Sequence, residues 1–211
     1  MDILSLPLRN LYFPSKNKEA PLLVVMHGLG DQMESYKDFP ELLLKNEIHT
    51  LLFNAPEPYF MGWKWYDLDG NQEIGLNKSR ILIEESISLI YDTLQIPKDK
   101  IFLSGFSQGG VVSLYTGLRS QEAYAGLICL SGYLFGEEKE FTQASRKTPV
   151  FMAHGIYDDL IPISMVREHK EYLIEKNYQV LWKEYPIPHT ICMEEMEDLR
   201  EWLRNRIQEL Q

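Results

Sequence analysis

The sequence predicts an α/β fold in which a mostly parallel central sheet carries helices on both faces. Continuous apolar runs of strand length, such as Leu22–Met26 and Gly126–Leu130, recur along the chain. Runs of this kind are typical of strands that are buried on both faces of a parallel sheet. Each run precedes a segment with helical features, and this strand-then-helix order requires crossover helices that cover both faces.

Seven segments have the length and composition of strands. The first alternates weakly and then meets Pro14, which favours a position at the edge of the sheet. The later segments are mostly continuous apolar runs, which favour the sheet interior. The predicted strands cover residues 9–13, 22–26, 50–53, 101–104, 126–130, 149–153 and 180–185.

Helical patterns fill most of the sequence between these strands. In the second predicted helix, apolar residues spaced by four, three and four follow Asn77, the expected N-cap, and Pro97 ends the pattern. The stretch 54–76 has no regular pattern, so we predict a long loop there that could cover a substrate. The predicted helices cover residues 36–45, 77–96, 108–118, 162–176 and 192–210.

Length, charge and composition limit the classes of protein to consider. At 211 residues, one domain over residues 1–211 is expected. The formal charge of −10 argues against nucleic acid as a partner, because phosphates attract clustered lysine and arginine. The N-terminus lacks the features of a signal peptide, and the sequence contains no apolar run of about 18 residues. We therefore expect a cytoplasmic protein without integral membrane association, in which Cys129 and Cys192 are reduced and structural.

The functional prediction depends on the pattern Gly105-x-Ser107-x-Gly109, which lies between a predicted strand and a predicted helix. In a nucleophile elbow, a strained turn exposes the serine above the sheet edge, and the glycines avoid collisions. Ser107 is therefore the predicted nucleophile, and the backbone amide of Gln108 would face the oxygen that becomes negative during attack. A glycine-flanked serine can also be an ordinary turn, so the remaining chain must supply a base, an acid and a second oxyanion donor.

A serine nucleophile needs a base, usually a histidine that a carboxylate orients. His189 lies in a proline-stiffened loop after the last strand, which places it on the same sheet edge as Ser107. The other histidines are expected to be structural or surface residues: His27, His49, His154 and His169. The turn after the strand at 149–153 offers two acids, Asp158 and Asp159, and the local pattern leaves both open.

The remaining oxyanion donor should be an amide in the loop after an early strand. His27-Gly28-Leu29-Gly30 fits this position, and we predict the Leu29 amide as the donor. The chain order serine, aspartate, histidine is the one expected of α/β-hydrolases.

Three segments together resemble the acyl-protein thioesterase, lysophospholipase and bacterial carboxylesterase family of α/β-hydrolases. They are His27–Asp31, Gly105–Gly110 and His154-Gly155-x-x-Asp158, and the similarity runs from about residue 20 to the C-terminus. The resemblance implies an α/β-hydrolase fold and selects Asp158 as the acid. It also implies hydrolysis of small-molecule carboxyl esters or thioesters without a metal or cofactor, often by homodimers.

Two segments depart from the family pattern. Gly62 and Lys64 are unexpected beside the tryptophan-aromatic-aspartate stretch, and Thr190-Ile191 replace a small, serine-rich pair after the histidine. The first departure lies in the segment predicted to bind substrate. The second affects the shape of the site and leaves the assignment of His189 as the base unchanged.

Aromatic and apolar residues after two strand ends are candidates for substrate binding. We predict that an acyl groove or small lid is built from Met61, Trp63, Trp65, Tyr133 and Leu134. The alternative is that these residues only pack the loop onto the domain. The expected activity is hydrolysis of carboxyl esters with short to medium acyl chains, with acyl-protein thioesterase or lysophospholipase activity on longer chains as the alternative. A serine acyltransferase and a non-catalytic binding module rank lower.

Overall fold

A sheet of seven strands forms the centre of the computed structural model, which describes residues 4–210. A separate two-stranded hairpin, β4–β5, lies outside it. The strands are β1 (Asn10–Phe13), β2 (Leu22–Met26), β3 (His49–Phe53), β4 (Glu57–Tyr59), β5 (Gly62–Lys64), β6 (Ile101–Phe106), β7 (Gly126–Leu130), β8 (Val150–Gly155) and β9 (Val180–Tyr185).

The order of strands across the large sheet is β1-β3-β2-β6-β7-β8-β9. Strand β1 pairs antiparallel with β3 at one edge, and every other neighbouring pair is parallel. The predicted α/β class and the edge position of the first strand are therefore confirmed. The other six strands of this sheet share one direction, so their carboxyl ends lie side by side. We call this border of the sheet the carboxyl edge.

Within residues 4–210, five α-helices follow these strands, and they cover both faces of the sheet. They are α1 (Phe39–Leu44), α2 (Gln72–Leu94), α3 (Gln108–Leu118), α4 (Ile163–Glu175) and α5 (Met193–Glu209). Short 3-10 helices occur at Met33–Tyr36, Lys98–Lys100, Glu138–Glu140 and Ala144–Lys147. Among the described residues, no helix combines the length and the apolar composition that a bilayer crossing requires.

Alternation along each strand divides the core into two layers. In β2, Leu22, Val24 and Met26 pack with apolar residues of α2, α3 and α4, whereas Leu23 and Val25 pack with those of α1 and α5. Successive side chains of a strand point to opposite faces, so a continuous apolar run supplies both layers. The buried runs seen in the sequence thus fix the sheet between two layers of helices.

The start of α2 differs from the prediction. The helix begins at Gln72, and its N-cap is Asn71, whose side chain accepts a hydrogen bond from the Glu73 amide at 3.1 Å. Asn77 is therefore not the cap. Leu76 is fully buried in the core, so the buried stripe extends about two turns further towards the N-terminus than its isoleucine spacing indicates.

The prediction of a long irregular loop over 54–76 is wrong in part. Strands β4 and β5 pair within it, and its last five residues belong to α2. The predicted helix at 36–45 is also shorter, since a 3-10 turn precedes α1 and Lys45 ends it in the left-handed region at φ 47°. Short paired strands with few apolar residues leave little periodic pattern to detect.

The buried stripe of α2 gives a matched test of this packing. Ile83 is fully buried, whereas Ile81 on the same helix is 47% exposed. We expect Ile83→Ala to lower the free energy of unfolding by about 2–5 kcal/mol, because it leaves a cavity between α2 and the sheet. Ile81→Ala should change it by about 0.5 kcal/mol or less. Urea unfolding measures both values, and equal losses would contradict the assigned helix orientation.

Candidate active site

Ser107 occupies a strained turn between β6 and α3. Its backbone angles are φ 53° and ψ −119°, and its amide donates to the Leu130 carbonyl at 2.8 Å. A Cβ on Gly109 would lie 2.1 Å from the Met26 carbonyl oxygen, and one on Gly105 would lie 2.1 Å from the Gly109 carbonyl carbon. Only glycine allows backbone segments to approach so closely. The turn places the Ser107 side chain at the carboxyl edge of the sheet.

His189 lies beside this serine, in the loop between β9 and α5. Its Nε2 is 2.9 Å from Ser107 Oγ, and its Nδ1 is 2.6 Å from Asp158 Oδ2. The imidazole also packs against the Phe106 ring, with ring centroids 4.9 Å apart. The structure thus brings together the three side chains that the sequence predicts as nucleophile, base and acid.

Asp158 is buried in the turn after β8 and is held as an acceptor. Its Oδ1 accepts the amides of Leu160 at 3.0 Å and Ile161 at 2.9 Å. An ionised carboxylate can only accept, so its bond to His189 requires the proton on Nδ1. The lone pair of Nε2 then faces the Ser107 hydroxyl. Asp159, the other candidate acid, is exposed to solvent.

Backbone contacts keep the acid turn and the histidine loop adjacent. The Ile156 amide donates to the Tyr185 carbonyl at 2.7 Å, and the Tyr157 amide donates to the Ile187 carbonyl at 3.0 Å. A Cβ on Gly155 would lie 2.4 Å from the Ile187 carbonyl oxygen. The glycine in the His-Gly-x-x-Asp turn therefore allows the histidine loop to close onto the acid.

A second histidine contacts the same carboxylate. The buried His154 Nε2 lies 2.8 Å from the Ile161 carbonyl oxygen and 3.2 Å from Asp158 Oδ2. Because the carbonyl can only accept, this nitrogen carries a proton and donates. Burial lowers the pKa of His154, which favours the neutral ring. Its contacts brace the acid turn, as the sequence predicts for a histidine at a strand end.

The other histidines lie away from the serine or serve the backbone. His27 Nδ1 donates to the Gly28 carbonyl at 2.6 Å, and its Nε2 accepts the Ala55 amide at 3.0 Å. His49 is the first residue of β3, so it lies at the amino ends of the parallel strands, away from the serine at their carboxyl ends. His169 lies half-buried in α4.

The two predicted oxyanion donors lie at the same cavity as Ser107. Leu29 and Gln108 both line it. Leu29 is inside a turn that the Asp31 amide closes by donating to the Gly28 carbonyl at 3.3 Å. Gln108 is the first residue of α3, and the first amides of a helix have no partner within that helix. The positive end of the helix dipole therefore lies at the cavity beside Ser107.

An apolar cavity of about 670 Å³ opens beside Ser107 and His189. The hydroxyl oxygens of Tyr66 and Tyr133 lie 3.0 Å apart at its wall, and burial raises the pKa of both tyrosines, so they stay protonated. The volume is in the usual range for a small-molecule site. Its apolar wall includes Leu68, Phe106, Leu160, Ile161, Pro162 and Met165.

Of the five residues predicted to bind substrate, only Tyr133 lines this cavity. Trp65 is 1% exposed, and its indole N–H donates to the His27 carbonyl at 2.9 Å, so it belongs to the core. Leu134 is buried in the same core layer. For these two residues the alternative interpretation, packing of the loop onto the domain, is correct.

The other two residues lie on the β4–β5 hairpin. Met61 is 96% exposed between its strands, and Trp63 packs beneath the Arg9 guanidinium, 5.3 Å from the ring centroid. Trp63 also forms a bridge to Asp31 in the loop after β2. Neither Met61 nor Trp63 lines the cavity.

Most residues of the apolar wall are not among those predicted from the sequence. Leu160, Ile161 and Pro162 directly follow the predicted acid, so the rule that strand ends share one edge could have identified them. Tyr66 directly follows Trp65, which the sequence predicts to bind substrate. Met165 lies on the first turn of α4, where no local pattern separates a wall residue from a core residue.

Within residues 4–210, no three His, Cys, Asp or Glu side chains form a group that could hold a metal ion. Cys129 and Cys192 are both free. Burial raises the pKa of the Cys129 thiol to about 12, which disfavours the reactive thiolate.

A buried glutamate follows the histidine loop on the first turn of α5. Glu195 is 1% exposed, and neither of its carboxyl oxygens has a hydrogen-bond partner among the described residues. Burial raises its pKa from 4.5 to about 7, and the nearby Cys192 backbone opposes this shift only in part. The carboxyl group therefore stays protonated in the folded protein below about pH 7.

Comparisons with known proteins identify the family of this chain. The family description Phospholipase/Carboxylesterase matches residues 13–207. The chain is similar to acyl-protein thioesterase 1 of Neurospora crassa, with 30% identity over 223 residues that cover 93% of this chain and 91% of the relative. The corresponding protein of Gibberella zeae is 29% identical, with 93% and 95% covered.

Among solved structures, esterase PE8 has a similar fold, with a TM-score of 0.83 over 94% of this chain and 98% of that chain. The two sequences are 24% identical. At this identity the likeness shows a shared fold.

Glu195 predicts a specific dependence of stability on pH. The folded protein holds its proton between about pH 4.5 and pH 7, where the unfolded chain has released it. The free energy of unfolding should therefore fall as the pH rises through this window, by about 3 kcal/mol in total. Glu195→Gln should remove this contribution and be the more stable protein at pH 8. Chemical denaturation from pH 4 to 8 measures the difference, with the exposed Glu194→Gln as control, and parallel curves for wild type and Glu195→Gln would contradict the assignment.

Proposed function

Since the chain belongs to the phospholipase/carboxylesterase family of α/β-hydrolases, we propose that it hydrolyses acyl thioesters of longer chains through Ser107, His189 and Asp158. The protein is an enzyme of the esterase and thioesterase class. The observation that carries the proposal is the hydrogen-bonded line from Ser107 Oγ through His189 to Asp158 at the opening of an apolar cavity. The names of the relatives favour thioesters over our first expectation, short to medium carboxyl esters.

The reaction begins when Ser107 Oγ attacks the thioester carbonyl carbon and its proton moves to His189 Nε2. Asp158 accepts the Nδ1 hydrogen bond and stabilises the imidazolium that forms. The carbonyl oxygen becomes an oxyanion and accepts hydrogen bonds from the amides of Leu29 and Gln108, each worth about 10²–10³ in rate.

Collapse of this intermediate breaks the carbon–sulfur bond. His189 donates its proton to the leaving sulfur, and the acyl group remains as an ester of Ser107. In the second half-reaction, His189 removes a proton from water, whose oxygen attacks the carbonyl carbon of the acyl ester. The bond from this carbon to Ser107 Oγ then breaks, His189 returns the proton to Oγ, and the carboxylic acid leaves. The apolar wall of the cavity binds the acyl chain, which supplies binding energy without taking part in bond exchange.

The acid assignment can be tested with two neighbouring aspartates. Asp158→Asn should lower kcat on a thioester substrate by about 10⁴-fold, because the amide favours the wrong histidine tautomer. Asp159→Asn is the matched control, and it should keep wild-type kcat because its carboxyl is exposed. Ser107→Ala should abolish labelling by a fluorophosphonate probe and lower kcat by at least about 10³-fold. Full labelling of Ser107→Ala would contradict the proposed nucleophile.

The cavity assignment predicts a change in acyl-length preference. Met165→Trp should lower kcat/KM for long-chain thioesters by about tenfold or more and leave the shortest substrates almost unaffected, because the larger ring fills the acyl site. Met61→Trp is the control, because Met61 lies on the exposed hairpin outside the cavity. A panel of acyl lengths measures both variants. An equal loss at every length in Met165→Trp would contradict the binding site.

A further inference from the structure

The Gln108 side chain connects the start of α3 to the segment that follows the β4–β5 hairpin. It is 3% exposed, its Oε1 accepts the Trp65 amide at 3.1 Å, and its Nε2 donates to the Tyr66 carbonyl at 3.0 Å. The oxygen and the nitrogen of the carboxamide therefore both form hydrogen bonds, to the backbone of two consecutive residues. Gln108 supplies one proposed oxyanion donor through its backbone amide. Its side chain binds this residue to Trp65 and Tyr66.

Trp65 continues this connection to the other proposed donor. Its indole N–H donates to the His27 carbonyl at 2.9 Å, two residues before Leu29. Its own carbonyl accepts the Ser79 hydroxyl at 2.6 Å, which fixes the residue to α2. Trp65 is almost fully buried, so these hydrogen bonds do not compete with water.

The same segment also binds the loop on the far side of Leu29. The Gly30 amide donates to the Trp63 carbonyl at 2.9 Å, and the Trp63 amide donates to the Asp31 carbonyl at 3.0 Å. Trp65 and Trp63 therefore hold the loop before and after Leu29. The pairing of β2 with β6 ends at Met26 and Gly105, before either donor is reached.

Within the described part of the chain, no backbone hydrogen bond joins residues 27–31 directly to residues 107–109. Their hydrogen-bonded connection runs through residues 63–66. We propose that the Gln108 carboxamide and Trp65 are positioning residues that set the distance between the Leu29 and Gln108 amides. This inference rests on the proposed function.

The consequence for catalysis follows from the geometry of an oxyanion hole. Donors must lie about 2.7–3.1 Å from the oxyanion, and a displacement of about 1 Å can cost about 10²-fold in rate. The ground-state substrate is bound mainly through its acyl chain and does not depend on this distance. Loss of the hydrogen-bonded connection through residues 63–66 therefore lowers kcat and the affinity for an inhibitor that forms a tetrahedral adduct, and leaves KM almost unchanged.

Two variants break the connection through residues 63–66 at its two ends. Gln108→Met keeps the volume of the side chain and removes both carboxamide bonds, and Trp65→Phe removes the indole donor to His27. We expect each to lower kcat by about 10- to 100-fold with KM within about threefold. Affinity for a trifluoromethyl ketone, which forms a tetrahedral adduct with a serine hydroxyl, should fall in proportion to kcat.

Ser113→Ala is the matched control for a general loss of stability. Its buried hydroxyl donates to the Leu103 carbonyl at 2.7 Å, in the same helix as Gln108 but away from the donors. This variant should lower Tm without changing kcat or the affinity for the ketone. Equal effects of Ser113→Ala and Gln108→Met on kcat would overturn the positioning role.

Gln108→Glu adds a test by pH. When protonated, the introduced carboxyl can accept from the Trp65 amide and donate to the Tyr66 carbonyl, whereas its ionised form cannot donate. The kcat of Gln108→Glu relative to wild type at the same pH should therefore rise as the pH falls, and that of Gln108→Met should stay flat.

The decisive experiment measures kcat, KM and the ketone affinity of these variants beside Ser107→Ala. Parallel losses of kcat and ketone affinity in Gln108→Met and Trp65→Phe, with Ser107→Ala inactive, support the inference. Wild-type kcat and ketone affinity in Gln108→Met, with Ser107→Ala inactive, overturn the positioning role alone. Activity in Ser107→Ala would overturn the proposed function together with the inference that rests on it.

Discussion

The close contact between the Ser107 turn and the neighbouring strand is the constraint on which the site depends. The backbone of Gly109 lies so near the Met26 carbonyl that no side chain fits between them, and the Leu130 carbonyl holds the Ser107 amide. These contacts maintain a positive φ at a residue that is not glycine, a conformation that costs about 1–3 kcal/mol and persists only when its surroundings fix it. Packing of the sheet therefore stabilises the strained turn that exposes the Ser107 hydroxyl.

The other parts of the site are fixed by backbone contacts of the same kind. The acid turn and the histidine loop join through two amide–carbonyl bonds and a close approach at Gly155. The loop around Leu29 is held by Trp63 and Trp65, whose own segment is bound to α3 through Gln108. The carboxyl edge of the sheet therefore supports four separate chain segments that hold the proposed nucleophile, acid, base and oxyanion donors before a substrate binds, which is the condition for effective electrostatic stabilisation.

The sequence predicts those features that depend on local pattern or on the shared direction of strands. Strand β2, helix α3 and strands β7 and β9 have the predicted bounds, and the strand-end rule brings Ser107, Asp158 and His189 to one edge. The hairpin and the substrate wall could not be predicted in this way. Composition cannot tell whether a tryptophan faces a cavity or the core, and the position of Trp65 is decided by its bonds to distant residues such as Gln108.

The most direct test of the central claim is a crystal structure of the enzyme after reaction with a fluorophosphonate. The account predicts a phosphorus–oxygen bond to Ser107 Oγ, with the phosphoryl oxygen within about 3 Å of the amides of Leu29 and Gln108 and the His189 ring still bonded to Asp158. An adduct on another residue, or a phosphoryl oxygen directed to solvent while both amides bind elsewhere, would contradict it.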